Sequence, residues 1–307
     1  MATKSGGTSL FPGEPGDGTE SPAQVDRQAS SADGGGTWPG ANTGAVALTF
    51  DVDARSVMLA ADPSSASRAS LMSHQDYGPL VGVPRLLALL RDYGVRATFF
   101  VPGATAEQYP GALAAILDGG HEVGHHGYLH ESLVGADERT ERDYLERGLD
   151  ALSSVAGVRP AGYRAPWWEA TLRTRPLLAE YEFAYDSSFF DADAPYPAPE
   201  CSGQLIEVPV CWALDDWERY AFWPGVTGDG RIDRPSAVVA AWWEEIQAIH
   251  AIGGIAVLTM HPFLSGRPAR AAALRELIER CLATPDLWVT ALDDVVRWYR
   301  DPNEKKG

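Results

Sequence analysis

Apolar residues are sparse over the first forty positions and then return in short blocks that alternate between two periods. Ala45-Val46-Ala47-Leu48-Thr49-Phe50 is a continuous run of apolar and β-favouring residues, which predicts a buried strand, and it leads straight into Asp51-Val52-Asp53. A polar insertion follows, from 54 to about 81. Pro84 then stands where a first helical turn tolerates it, and Leu86, Leu87, Leu90 and Tyr93 recur at helical spacing before Gly94. Residues 96–101 read as a second strand, 109–118 as a helix stopped by Gly119-Gly120, 121–124 as a third strand and 137–155 as a long helix. Further strands are expected at 161–164, 184–186, 205–210, 255–260 and 287–290. Helices are expected at 171–181, 236–250, 268–282 and from 293 onward.

Strands and helices in alternation mean parallel strands joined by crossover helices. Seven or eight such units fit an α/β chain whose sheet closes as a (β/α) barrel. Neither an internal repeat nor a second compositional regime divides the body, so one domain is expected over 42–300. Residues 1–41, rich in Gly, Ser and Pro, hold too little apolar surface to offset the entropy of ordering and read as a disordered tail. Residues 301–307 read as a polar C-terminal tail.

Composition narrows the function classes. With 45% hydrophobic and 22% charged residues, collagen, coiled coil and wholesale disorder are excluded. Lys and Arg number 25 against 42 Asp and Glu, a formal charge of −17 that repels polyanions, so nucleic acid and anionic membrane are poor partners. Most of that acidity reads as solvated surface. Cys201, Cys211 and Cys281 form neither a disulfide framework nor a thiolate zinc site. No apolar segment follows Lys4 and no window approaches ~18 uninterrupted apolar residues, which reads as a soluble, cytoplasmic protein. The aromatics leave room for a homo-oligomer.

The expected strands end on polar residues that core packing does not require: Asp51 and Asp53, then His125, His126 and His130, then Arg164, Asp186, Asp215, Asp216 and His261. Asp51 and Asp53, two apart on an extended chain, point to one side. Imidazoles spaced as His126 and His130 can meet one ion on a helical turn or tight loop, and an aspartate from elsewhere completes a three-ligand site. Two imidazole nitrogens and one carboxylate suit zinc with an open position for water, and cobalt, manganese or iron accept the same donors. Trp167-Trp168 fits a substrate cleft or packing over the barrel rim. Asp215 and Asp216 are placed to bind substrate, to orient His261, or to serve as loop residues. His125 lies beside a ligand candidate and is expected to point elsewhere. His74, His121 and His250 read as structural or solvated, and Trp242-Trp243 as helix packing.

The ordered segments TFDVD (Thr49 to Asp53), GHEVGHHGYLHESL (Gly120 to Leu133), GYRAPWWE (Gly162 to Glu169) and LTMHP (Leu258 to Pro262) resemble the polysaccharide deacetylase family, also called the NodB-homology family or carbohydrate esterase family 4. The resemblance covers about residues 45–298. It implies a distorted (β/α) barrel of seven or eight strands holding one divalent metal, most readily Zn2+. His126 and His130 match the family's metal histidines, Arg164 the arginine that tethers the base, and His261 the late histidine that serves as acid. Val52 stands where a second aspartate is usual. A branch with the shifted TFDxD form implies Asp53 as the metal ligand and Asp51 as the base. That branch also resembles this chain in YGPLVGVPRLLALL, APWWE, the WxLDD stretch (Trp212 to Asp216) and HPFLSGRP, and it includes cytosolic peptidoglycan-deacetylase-like, allantoinase-like and cyclic-imidase proteins. The implied activity is hydrolysis of a non-peptide amide C–N bond, with Trp167, Trp168, Asp215 and Asp216 candidate substrate contacts. The substrate is expected to be a small amide, cyclic imide or ureide, with N-deacetylation of an amino-sugar polymer or oligosaccharide as the alternative. A closed pocket would favour the first and a trough several sugars long the second.

Overall fold

The computed structural model describes residues 38–222 and 232–301. The strands β1 (Gly44–Asp51), β2 (Thr98–Val101), β3 (Glu122–His125), β4 (Gly162–Tyr163), β5 (Tyr185–Asp186), β6 (Tyr196–Pro197), β7 (Ile206–Glu207), β8 (Ile255–Met260) and β9 (Leu287–Thr290) form one sheet. Its order is β6-β7-β5-β4-β3-β2-β1-β8. Every pair is parallel except β6 with β7. β1 is the axis of the sheet: β8 runs along one side, while β9 takes Gly44–Ala47 and β2 takes Thr49–Asp51 on the other. Beyond β7 the chain reaches Asp215, which bridges Thr259 of β8 and draws the two edges of the curled sheet together. The result is a distorted (β/α) barrel.

Twelve α-helices complete the described residues: α1 (Ser56–Ala61), α2 (Ala69–Tyr77), α3 (Val83–Tyr93), α4 (Gly103–Gln108), α5 (Pro110–Asp118), α6 (Glu138–Ala156), α7 (Thr174–Glu180), α8 (Trp217–Tyr220), α9 (Pro235–Ala251), α10 (Pro262–Ser265), α11 (Pro268–Ala283) and α12 (Leu292–Arg300). α6 shows how local chemistry sets the ends. The Asp137 carboxylate accepts the Thr140 N–H at 2.8 Å, acidic Glu138 and Glu141 sit in the first turn, and Gly157 closes the helix at φ +66°. The core lies where helices cover the sheet. β1 is buried throughout, Phe50 and Phe99 stack with centroids 4.9 Å apart, and Leu86, Leu90, Leu258 and Leu277 close the space between them.

Three features depart from the pattern read in the sequence. The polar insertion at 54–81 is helical, forming α1, α2 and a π turn at Gly78–Gly82 that runs into α3. It buries too few apolar residues to show a period: Val57, Met58 and Met72 make a small cluster of their own, with Trp167 and Trp217 packed against it. The edge strand β6 is only two residues long and contains Pro197, which lacks an N–H to donate. The expected strand 205–210 pairs only at Ile206–Glu207 before leaving the sheet. The folded body also starts ahead of residue 42. Trp38 is buried, stacks on Trp298 at 4.8 Å and donates Nε1–H to the Gly253 carbonyl at 2.9 Å. Residues 1–37 of the expected N-terminal tail, and all of the C-terminal tail but Asp301, lie outside the described residues. No helix among them is long and apolar enough to cross a membrane.

Candidate active site

The polar strand ends converge at one mouth of the barrel. Asp51 ends β1 and Asp53 follows two residues later. Its carbonyl is held by the Ser56 N–H at 3.0 Å and the Thr105 hydroxyl at 2.8 Å, so the backbone beneath the carboxylate is fixed. His126 leaves the end of β3, and His130 sits four residues on at φ +61°, a left-handed turn that brings the two rings to 4.9 Å. The Glu131 carboxylate accepts the N–H groups of Tyr128 and Leu129 at 3.2 and 2.7 Å and braces this loop. Arg164 follows β4, and His261 follows β8.

Asp53 Oδ1 lies 3.4 Å from His126 Nε2, and Asp53 Oδ2 lies 3.6 Å from both His130 Nε2 and His261 Nε2. Neither Asp53 oxygen has a hydrogen-bond partner, although the residue is 1% exposed. A buried carboxylate with no partner is costly. Burial, with Asp51 and Asp216 nearby, pushes its pKa up to about 7. His126 is turned by its other nitrogen: Nδ1–H donates to the Arg164 carbonyl at 2.8 Å, which leaves Nε2 with a free lone pair facing Asp53. Burial lowers the pKa of His126 to about 3 and that of His130 well below the usual value, so both rings are neutral. Neutral imidazoles and an unpartnered carboxylate form the donor set of a divalent ion. Two ligands of a tetrahedral zinc stand about 3.3 Å apart, close to the spacing of these donors. Asp53, His126 and His130 fit a metal.

Asp51 and His261 flank that trio. Arg164, fully buried, donates Nη1–H to Asp51 Oδ1 and to Thr49 Oγ1, both at 2.8 Å, and lies 4.2 Å over the Phe100 ring. Asp51 Oδ2 points the other way, 3.8 Å from His126 Nε2. Opposite, His261 Nδ1 is 2.7 Å from Asp216 Oδ1, and the same carboxylate accepts the His261 backbone N–H. Burial opposes charge on His261, but the hydrogen bond and charge of Asp216, with Asp215 and Asp53 beyond, push its pKa up to about 10. His261 is a protonated imidazole with Nε2–H directed at the trio.

These groups floor a cavity of about 250 Å³ walled by four tryptophans, Trp167, Trp168, Trp212 and Trp217, with Val57 and Ala165. Trp167 and Trp168 both have positive φ, +60° and +55°, a conformation that turns both rings to the cavity. Asp215 and Glu218 stand at the wall, and burial pushes the Asp215 carboxyl up to about 7. Asp216 does not line the cavity, because its oxygens are engaged by His261 and the Ser265 hydroxyl. Of the three readings of Asp216, as a substrate contact, a partner of His261 or a loop residue, its hydrogen bond to Nδ1 matches the second. His125 faces away, between the Leu145 carbonyl and the Gly127 N–H. Sequence reasoning missed Thr49, Trp212 and Trp217 as parts of the site. Thr49 was visible as the one hydroxyl in an apolar strand, and Trp217 as the residue directly after Asp215-Asp216.

Comparison with known proteins gives the family and the fold. The polysaccharide deacetylase family matches over residues 64–185. The peptidoglycan deacetylase of Helicobacter pylori is 31% identical over 255 residues, covering 73% of this chain and 86% of that protein. A crystal structure from Mycobacterium smegmatis, described as a "putative polysaccharide deacetylase", is 54% identical with a TM-score of 0.84, covering 86% of this chain and 92% of that one. Puue allantoinase shares the fold at 23% identity and a TM-score of 0.78, covering 92% of this chain and 99% of its own. The chain belongs to the polysaccharide deacetylase family, hydrolases of amide C–N bonds that use a divalent metal.

Proposed function

We propose that this chain hydrolyses a small amide, cyclic imide or ureide, with Asp53, His126 and His130 holding zinc, Asp51 as base and His261 as acid. The observation that carries the reading is the cavity: about 250 Å³, walled by four tryptophans. That is at or below the small end of ordinary ligand pockets. It suits one planar ring stacked on aromatic faces, whereas consecutive sugars need an open trough.

When bound, the ion supplies Lewis acidity towards a carbonyl oxygen and lowers the pKa of a water molecule. The chain's own residues do the rest. Asp51 takes the water's proton at Oδ2, the oxygen that Arg164 leaves free. Arg164 is a positioning residue, fixing Oδ1 so that Oδ2 keeps one direction. His261 delivers a proton from Nε2 to the departing nitrogen, and Asp216 holds the charge that this requires. Trp167 and Trp217 close the ring of His130 and His261 against bulk water, with centroid contacts of 4.8 and 5.3 Å. The products are a carboxylate and an amine or amide nitrogen.

The test is turnover by purified, zinc-quantified protein of succinimide, hydantoin and allantoin beside N-acetylated chitooligosaccharides. Ring opening without acetate release supports the reading. Acetate release from the oligosaccharides alone refutes it in favour of N-deacetylation, the reading favoured by the activity named for the Helicobacter pylori relative.

A further inference from the structure

Two fully buried polar residues just beyond the site have no part in the reaction. Asp186 ends β5, and Ser188 follows two residues later; they are 0% and 1% exposed and neither borders the cavity. The Ser188 hydroxyl accepts the Ala165 backbone N–H at 2.9 Å and donates to Asp186 Oδ1 at 2.5 Å. The peptide unit that owns this N–H also owns the Arg164 carbonyl, which accepts Nδ1–H of His126 at 2.8 Å. One amide is therefore loaded at both ends, by the imidazole on its oxygen and by a serine and a carboxylate on its nitrogen. Hydrogen bonds in such a chain polarise one another, so an amide that donates strongly is also a stronger acceptor. A stronger acceptor at Nδ1 fixes the ring plane of His126 and raises the basicity of Nε2, the atom that faces Asp53.

The segment bearing Ser188 is itself clamped. Glu207 Oε1 accepts the N–H groups of Ser188 and Phe189 at 3.1 and 3.0 Å, and Glu207 Oε2 receives Arg175 Nη2–H at 2.9 Å. The Arg175 guanidinium lies 3.5 Å over the Phe189 ring, its Nε 3.8 Å from Asp186 Oδ2. The intervening Ser187 accepts Arg164 Nε–H on its carbonyl and Nη2–H on its hydroxyl, both at 3.2 Å. Replacing buried ion pairs of this kind by apolar residues of similar volume is often neutral or stabilising. A buried charged set that leaves Arg175 Nε and Asp186 Oδ2 without a hydrogen-bond partner is a poor device for stability, and its contacts to the Ser187–Phe189 segment fit control of geometry better.

We infer that Ser188 and Asp186 are positioning residues of the metal centre, acting on His126 through the Arg164–Ala165 peptide unit. The inference rests on His126 being a ligand. Its test is zinc affinity, measured by competition with a chromophoric chelator on folded protein, so that it needs no substrate. Ser188→Ala is expected to weaken Zn2+ binding about tenfold, the low end for partners beyond the ligands themselves. Asp186→Asn, which keeps the side-chain shape and an acceptor for Ser188, gives a smaller loss in the same direction and serves if Ser188→Ala does not fold. In a His126→Ala background the Ser188→Ala change is expected to alter affinity less than twofold, because the path through the imidazole is gone. Wild-type affinity in Ser188→Ala and Asp186→Asn, or the same tenfold loss with and without His126, overturns the relay. Wild-type affinity in His126→Ala alone would instead remove the ligand assignment on which it stands.

Discussion

Replacing Asp216 by Asn tests the acid half of the site most directly. The wild-type carboxylate meets His261 at Nδ1, at 2.7 Å, and at its backbone N–H, and it receives the Ser265 hydroxyl. The rise of the His261 pKa from 6.5 to about 10 corresponds to about 5 kcal/mol of differential interaction. Breaking a buried ion pair by removing one partner costs about 3–5 kcal/mol, the same range. The sign follows from linkage: a histidine whose folded pKa is raised stabilises the fold fully below its unfolded value near 6.5, and that contribution disappears as pH climbs through about 10. Denaturant unfolding of metal-free protein should therefore show Asp216→Asn less stable by about 3–5 kcal/mol at pH 6, with the gap shrinking above pH 10. NMR titration should find His261 in the variant at or below its ordinary 6.5, since burial then acts with less opposition. With the acid deprotonated at pH 8, kcat should fall by about 10²–10⁴. A His261 that still titrates near 10 in the variant, or a stability gap that is equal at pH 6 and pH 10.5, would refute the pairing argument.

Four further outcomes follow from the same geometry. The His126→Ala, His130→Ala double variant should lose zinc as read by elemental analysis, and full stoichiometry would sink the ligand assignment. Asp51→Asn should keep zinc within a few-fold of wild-type affinity and lose turnover by about 10²–10⁴, a split that fails if metal and activity fall together. Zinc at a hundred times its Kd should raise the stability of the chain by about 2.7 kcal/mol, visible as a melting-temperature increase that chelation reverses; unchanged melting would contradict a site formed only in the folded state. Gly82→Ala should lower the melting temperature and kcat together, because a Cβ there meets the Pro262 carbonyl at 2.1 Å, next to His261. Overpacking of this kind costs about 1–3 kcal/mol, and a neutral result would show that the contact between the π turn at Gly78–Gly82 and α10 does not seat the acid.

The sequence made the frame legible where burial writes a long, uniform signal. β1 and β8 are eight and six residues long, buried throughout and mostly apolar, and their ends carry Asp51 and His261, so both the strands and the chemistry at their tips stand out. β4, β5 and β7 are two residues each and fall inside the longer strands expected at 161–164, 184–186 and 205–210, whereas β6, two residues with a proline, has too short a window to show a period and was not expected. The insertion at 54–81 hid for a different reason. Its helices pack largely on one another and on Trp167 and Trp217, so few of their residues had to be apolar. Asp216 shows the limit for the site. From spacing it was equivalent to Asp215, but only the turn into α8 decides that one carboxylate faces the cavity and the other faces His261.

Charge balance among Asp51, Asp53 and Asp216 explains why the site suits only one ion. Asp51 is matched by Arg164 and Asp216 by the imidazolium of His261, so each pair is internally neutral. Asp53 has no hydrogen bond, its one nearby cation is the His261 imidazolium already paired with Asp216 and 3.6 Å away, and it is the oxygen donor nearest to two neutral imidazoles. Burial pushes its pKa up to about 7, so a proton or a metal ion can neutralise it, and the two compete. Zinc affinity should accordingly weaken as pH falls through 7, as Asp53 takes the proton instead. The cluster of Asp215, Asp216 and His261, although similarly spaced, is already satisfied by its own imidazolium and should bind no second ion. A stoichiometry of two zinc ions per chain, retained after Asp53→Asn, would overturn this division of charge.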